Sequence, residues 1–381
     1  MNEIFKLRLK TRWRKRISTV CYAVGIGVFC WLTIAIHNDN FKFSLGQSVR
    51  SFTFNSGDYI HLITATDEEF FAGLPTLINS VQMTSRNSQS VMFHVIVCGD
   101  DDIVERLREY LACFGIGTTT DIKVQIVKFN PAAVVDEDIM FAWEFMFTAK
   151  RLKSDCNYAR SYMYSLFPDV KRAIYLDVDT VVKEPIENLW RIGQNYQSPL
   201  LASEVNRTYE QDGFVLETVS DLYQKRYGKR FDPSRTVFNG GVLVIDLDFY
   251  RKYNLISEVE YWAQAYTDAP TRLWRFDCQS IFQIVYHELW AKLNDKWNSR
   301  GLGKKRPRPP EQIETAGILH WSATHKPWSG VGPHVDLWEH YRPAECSNRG
   351  VCHHNPNATR YGYWKCHCEA QYSGIRCQKS L

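Results

Sequence analysis

Two carboxylates one residue apart, Asp177 and Asp179, close the apolar run Ala173–Leu176. That run has the pattern of a buried β-strand. Side chains alternate along an extended chain, so both acids are expected to face the same way. Two carboxylates held together repel unless they share a cation, and hard oxygen donors suit Mg²⁺ or Mn²⁺. An ion held there can bind phosphate oxygens in turn, so the pair reads as a divalent-metal site for a nucleotide diphosphate. A solvated acidic turn is the plainer reading of the same residues, and the rest of the chain must supply partners.

Four other places can do so. His320, in His320-Trp321-Ser322-Ala323-Thr324-His325-Lys326-Pro327-Trp328, follows the apolar Ile318-Leu319. A neutral imidazole completes a coordination sphere begun by two acids, and Lys326 can neutralise a departing diphosphate. Phe238-Asn239-Gly240-Gly241 precedes the apolar Val242–Ile245. Paired glycines there indicate backbone that something approaches closely, with Asn239 able to hydrogen-bond sugar hydroxyls. Arg160 offers a guanidinium fork for phosphate or a sugar oxygen. Thr64-Ala65-Thr66-Asp67 ends an apolar run that begins near Tyr59.

The elements that must position these residues alternate. Strands are expected near Tyr59–Ala65, Met92–Val97, Lys123–Phe129 and Ala173–Leu176. Helices are expected near Pro75–Thr84, Asp101–Phe114 and Tyr158–Phe167. Such alternation indicates an α/β domain with a mainly parallel sheet. Ligands in these sheets bind at the carboxyl ends of strands, where Thr64–Asp67 and the two acids both fall.

The ends of the chain speak to location. Residues 1–16 form a basic head and residues 17–36 a mostly apolar run. That length spans a bilayer core, and the positive-inside rule keeps the head cytosolic. A cleaved signal peptide fits less well, because Ala35-Ile36-His37 is a poor cleavage site. Residues 37–57 read as a polar stem, 58–342 as one large domain and 343–381 as a separate tail. Cys346, Cys352, Cys366, Cys368 and Cys377 crowd into that tail without Cys-x-x-Cys knuckles, which favours disulfides over zinc and implies an oxidising compartment. Asn206 and Asn357 head N-glycosylation sequons. The net charge of +4 owes much to the head. The loop Gly301–Pro310 is locally basic and can steer an acidic substrate or close over diphosphate, although a solvated loop is its plainer reading. No basic–aromatic pattern of a nucleic-acid reader is present.

Taken in order, Thr64–Asp67, Arg160, Asp177-Val178-Asp179, Phe238–Val242 and His320–Trp328 resemble glycosyltransferase family 8, from about Tyr59 to Tyr341. The resemblance implies a GT-A fold and a retaining, metal-dependent transfer from a UDP-sugar. The segment Asn294–Asn298 through Gly303 is similar to the animal and plant galacturonosyltransferase-like branches. Carried over, Asp177, Asp179 and His320 would bind Mn²⁺ or Mg²⁺, and Lys326 the diphosphate. Thr64, Ala65 and Asp67 would line the uridine pocket, with Val178 and Gly240 beside the donor and Arg160 and Asn239 on its sugar. Gln279 would place its carboxamide beneath the anomeric carbon, and Asp277 would make a weaker sugar contact. Two positions depart from the family pattern: Ala323 replaces a glycine, and Asp277-Cys278-Gln279 separates a usually adjacent pair. The tail resembles an EGF-like module lacking its first cysteine. That resemblance implies Cys346–Cys366 and Cys368–Cys377 bridges and leaves Cys352 to Cys98, Cys113, Cys156, Cys278 or a free thiol.

The expectation is therefore a Golgi, single-pass type II membrane glycosyltransferase with a luminal catalytic domain and a glycan acceptor. The tail would contact glycan or protein. A membrane-anchored binding protein that works through the tail, and a donor hydrolase, are the alternatives.

Overall fold

Leu62 and Ile63 are neighbours on one strand, both fully buried, yet they belong to different cores. Alternate residues of a strand enter opposite faces, so a sheet covered on both sides is written as a continuous apolar run. The computed structural model describes residues 59–146, 154–275, 277–354, 364–373, 376–377 and 379–380. Its strands begin with β1 (Ile60–Thr66), β2 (Val91–Val97), β3 (Lys123–Lys128), β4 (Arg172–Leu176) and β5 (Thr180–Val182). They continue with β6 (Leu200–Thr208), β7 (Thr236–Asp246), β8 (Trp290–Leu293), β9 (Ser299–Arg300) and β10 (Ile318–His320). Seven form one sheet in the order β3-β2-β1-β4-β7-β6-β8. Pairing is parallel from β3 through β4 and between β6 and β8, while β7 runs antiparallel to both neighbours. A smaller sheet, β5-β10-β9, stands beside it.

The helices Leu74–Thr84 and Ile103–Cys113 cover one face. The first opens with Pro75 in its first turn, where no N–H is needed. The second buries Ile103, Leu107 and Leu111, a one-sided stripe at helical spacing. Glu137–Met146, Leu255–Asp268 and Asp277–Val285 share the other core with Trp143, Trp262 and Tyr158. The expected helix Tyr158–Phe167 is instead broken: Cys156–Ala159, a 3-10 turn Arg160–Tyr162, then Met163–Leu166. Packing overrides propensity there, since Tyr158 and Tyr162 both close on Phe129, at 5.6 and 5.7 Å between ring centroids.

Residues 1–58 lie outside the described residues, and with them the expected head, anchor and stem. No helix among the described residues is long and apolar enough to cross a membrane. In the tail, β11 (Gly350–His354) pairs with β12 (Trp364–Cys368), and two short strands, β13 (Tyr372–Ser373) and β14 (Lys379–Ser380), pair beyond them. The Cys346–Cys366 and Cys368–Cys377 bridges are formed. Cys352, whose partner the sequence left open, bonds Cys113 at the end of the helix Ile103–Cys113. A fourth bridge joins Cys98 to Cys156. Trp364 packs edge-on to Tyr110 at 4.8 Å, and its N–H donates to Glu109 at 3.0 Å. Cys346 and Cys377 are buried in the same core as Leu107 and Leu111, so the tail is a continuation of the domain.

One buried polar row crosses the sheet. His94 meets His61 at 2.9 Å and Gln125 at 2.8 Å. Burial first, and His61 second, lower its pKa from 6.5 to about 4; burial lowers that of His287 to about 4 as well. Both are neutral in the native state and protonate in the unfolded chain below pH 6.5, so the unfolded state binds more protons between those values. Stability is therefore expected to fall as pH drops from about 6.5 to about 4, with His94 contributing on the order of 3 kcal/mol. Denaturant melts across that range should show the loss, and His94→Gln should flatten the slope; an unchanged slope would refute the assignment.

Candidate active site

β4 ends at Leu176, and Asp177, Val178 and Asp179 pass through a turn before β5. The two acids thus converge through a turn rather than by strand alternation. The Asp177 N–H donates to the Gly241 carbonyl at 2.8 Å, and Thr180 Oγ1 closes the turn on the Asp177 carbonyl at 2.7 Å. Val178, between them, turns into the opposite core. β5 pairs antiparallel with β10, which sets His320 opposite Thr180. The result places His320 Nε2 3.3 Å from Asp179 Oδ1 and 3.7 Å from Asp177 Oδ2. Ligand atoms of all three lie within 4.8 Å of one another. Lys326 Nζ donates to Asp179 Oδ2. The His320 and Asp179 side chains are 2% and 6% exposed and that of Asp177 is 34%, so the cluster opens on Asp177's side.

Charge is compensated unequally. Burial above all, then the charge of Asp179, raise the Asp177 pKa against the pull of Arg160, His320 and Lys326. Burial acts on Asp179 too, but there His320 and Lys326 outweigh it and hold the carboxyl below its ordinary range. The donor set of two carboxylates and one imidazole fits a divalent ion. It does so provided the imidazole is neutral with its Nε2 lone pair facing the acids.

A chain of amides sets that tautomer. The register between β6 and β7 shifts between Ala202 and Ser203, from Leu243 to Asn239, leaving Gly240-Gly241-Val242 as a bulge. The glycines expected ahead of the strand therefore lie inside it. A bulge takes backbone N–H groups out of the ladder. Here the Gly241 N–H donates to Asn239 Oδ1 at 3.1 Å and the Gly240 N–H to Gln279 Oε1 at 3.0 Å. Asn239 Oδ1 is thereby fixed as acceptor, and it also accepts from Asn298 Nδ2 at 2.9 Å. Asn298 must then turn its oxygen to His320 Nδ1, 2.8 Å away, so Nδ1 carries a proton and, in the neutral ring, the Nε2 lone pair faces the acids. Gly241 admits no side chain, since a Cβ would lie 2.2 Å from His320 Cε1 and 2.8 Å from Asp177 Oδ2.

The remaining candidates gather at the same strand ends. Thr64, Ala65 and Asp67 close β1; Thr64 Oγ1 and Asp67 Oδ1 are buried with no hydrogen-bond partner among the described residues. Unsatisfied buried oxygens at a strand's carboxyl end suit a polar ligand. The Cys98–Cys156 bridge pins the segment that leads into Arg160. Arg160 donates to the Gly240 carbonyl at 3.1 Å and to Cys278 Sγ at 3.3 Å, so its fork is braced by the bulge. Gln279 Oε1 also accepts from Asn239 Nδ2 at 3.2 Å. Asp277 begins the helix Asp277–Val285, and its side chain lies outside the described residues. Asn206 is exposed at the end of β6, whereas Asn357 is not described. Asn298 was missed as a site residue; its signal was one position after Trp297 in a segment read only as a branch likeness.

Two outcomes follow. Asn298→Ala removes the partner that fixes the imidazole, and Mn²⁺ affinity by calorimetry is expected to fall about 10–100-fold; an unchanged affinity would show that the tautomer is set otherwise. Ala323, where the family pattern has glycine, adopts φ +106°, outside the range an L side chain tolerates easily. Ala323→Gly is expected to stabilise the fold by about 1 kcal/mol, read as a raised melting temperature.

Comparison with known proteins agrees with this geometry. The family model described as Glycosyl transferase family 8 matches residues 61–332. Probable galacturonosyltransferase-like 5 of Arabidopsis thaliana is 29% identical over 277 residues, 71% of each chain. Glycosyltransferase 8 domain-containing protein 1 of Danio rerio is 25% identical over 303 residues, 74% of this chain and 78% of its own. The crystal structure of the galactosyltransferase LgtC with donor and acceptor sugar analogues aligns at a TM-score of 0.53 and 20% identity. The alignment covers 74% of this chain and 95% of LgtC, a likeness of fold. With the family pattern spanning both the central sheet and the Asp177–Asp179–His320 cluster, the chain belongs to glycosyl transferase family 8.

Proposed function

We propose that the protein transfers a sugar from a UDP donor to a hydroxyl of a glycan, with retention of configuration and dependence on Mn²⁺ or Mg²⁺. The observation that carries this reading is the convergence of Asp177, Asp179 and His320 within ligand distance of one another, beside the Gln279–Asn239 amides. When bound, the divalent ion would make the diphosphate a better leaving group. Lys326, now against Asp179, is placed to share its charge with the diphosphate as the bond to the sugar breaks. Thr64 and Asp67 supply unsatisfied oxygens for the base and ribose, with Ala65 beside them, and Val178 holds the turn between the two acids. Arg160, Asn239 and Gly240 border the sugar, with Asp277 and Gln279 at the start of the facing helix. No side chain is offered as a covalent nucleophile: Gln279 is a neutral carboxamide whose oxygen is already engaged by two donors. A same-face route, in which the departing diphosphate takes the acceptor proton, accounts for retention.

The same proposal places the catalytic domain in the Golgi lumen behind a signal anchor at residues 17–36, with sugars on Asn206 and Asn357. The tail is read as an EGF-like module whose first half-cystine is lent by the domain, Cys113 serving Cys352.

Incubating the detergent-solubilised full chain with UDP-glucose, UDP-galactose, UDP-xylose or UDP-galacturonate should release UDP from one donor with Mn²⁺ and from none with chelator. Asp177→Ala is expected to reduce that release at least about a hundredfold. Full metal-dependent transfer by Asp177→Ala would sink the metal assignment.

A further inference from the structure

The basic loop after β9 is fastened to the site rather than hanging free of it. The Gly301 N–H donates to Ser322 Oγ at 2.8 Å, the Leu302 N–H to the His320 carbonyl at 3.2 Å, and the His325 N–H to the Gly303 carbonyl at 3.1 Å. Gly303 is seated so closely on this segment that a Cβ would lie 2.5 Å from the His325 carbonyl oxygen and 2.7 Å from that of Trp321. Lys304, Lys305 and Arg306 follow at once, exposed and in no ion pair among the described residues. Arg308 folds back on the Arg300 carbonyl through Nε at 2.8 Å. Arg300 stands beside His320 in the β9–β10 pair and donates to the Glu204 carbonyl at 2.9 Å.

The strand that leads into the loop reaches the residues assigned to the sugar. It departs from Asn298, which touches Asn239 on the sugar side of the cluster. Arg300 extends it toward β6, the strand that pairs with Asn239 through Ser203. The acids closest to Arg300 are already engaged, Glu204 by Lys292 and Asp295 by Ser203. Burial above all, with Arg308 and Arg207, lowers the Arg300 pKa against the pull of Asp295 and Glu204. Exposed cations with no ion-pair partner among the described residues attract an anion.

We propose that the loop Gly301–Pro309 receives an anionic acceptor, a glycan bearing carboxylates or sulfates. Lys304, Lys305 and Arg306 contact its charges while the hydroxyl to be glycosylated reaches Asn239 and Gln279. This rests on the transferase reading and adds the acceptor's chemical class.

The test measures binding of an oligogalacturonate, a heparin oligosaccharide and neutral maltoheptaose to the full chain, with Mn²⁺-dependent UDP binding read on the same preparation. One or both anionic chains should bind more tightly than maltoheptaose and weaken with salt, and the better of the two identifies carboxylate or sulfate. The triple variant Lys304→Ser, Lys305→Ser, Arg306→Ser should lose about tenfold in that affinity, the order expected of three exposed ion pairs. The charge-preserving variant Lys304→Arg, Lys305→Arg, Arg306→Lys should keep it. Equal binding of neutral and anionic chains, or a triple variant with undiminished affinity, would overturn the inference. So would a triple variant that loses UDP instead of oligosaccharide, which would assign the loop to diphosphate. A chain that fails to bind UDP with Mn²⁺ removes the transferase reading itself, and that result is visible separately.

Discussion

The backbone N–H groups of Gly240 and Gly241 hold the site in order. A peptide N–H can only donate, so each glycine fixes which end of a carboxamide faces it. From Gly241 that information passes through Asn239 and Asn298 to the ring of His320. From Gly240 it passes to Gln279, where the Asn239 amide also donates. One bulge thus orients both the His320 ring and the Gln279 carboxamide. The Gly241 carbonyl completes the arrangement by receiving the Asp177 N–H. A methyl group at this point would collide with the imidazole and the carboxylate together.

The second constraint is electrostatic. Two carboxylates at the end of a buried strand need positive charge, and the protein itself contributes Lys326 and Arg160. Lys326 lies against Asp179, the more deeply buried of the pair. An ammonium on a flexible stem can leave when a stronger cation arrives, whereas Arg160 is braced by the Gly240 carbonyl and by Cys278. The two cations are therefore held differently, Lys326 by Asp179 and the Trp321 carbonyl, Arg160 by the bulge and a thiol.

Much of this was legible in the chain. The strands β1, β2 and β4 read directly because a two-sided buried strand is a plain apolar run, and the helix Ile103–Cys113 carries a one-sided stripe. Asp177, Asp179, His320 and Lys326, which the fold brings together, were singled out from residue type and spacing. What escaped reading depends on contacts between distant segments. The 3-10 turn at Arg160 follows from aromatic packing around Phe129, and the placement of the glycines inside β7 follows from a register shift against β6. Asn298 has no local signature, because its work is to join His320 to Asn239, residues 22 and 59 positions away. The partner of Cys352 was one of several possibilities until the tail was seen against the helix Ile103–Cys113.

That last bridge bears on how the molecule is made. Cys113 and Cys352 are separated by 239 residues. A chain lengthening at ordinary rates of about 5–20 residues per second reaches the second cysteine roughly 10–50 s after the first. Through that interval Cys113 waits as a thiol while Cys98 is already present and Cys156 and Cys278 emerge, each a competing partner once an oxidant acts. Closure of this bridge is thus a late event relative to the synthesis of Cys113. The means to oxidise these thiols and to reshuffle early pairings becomes a condition of the fold.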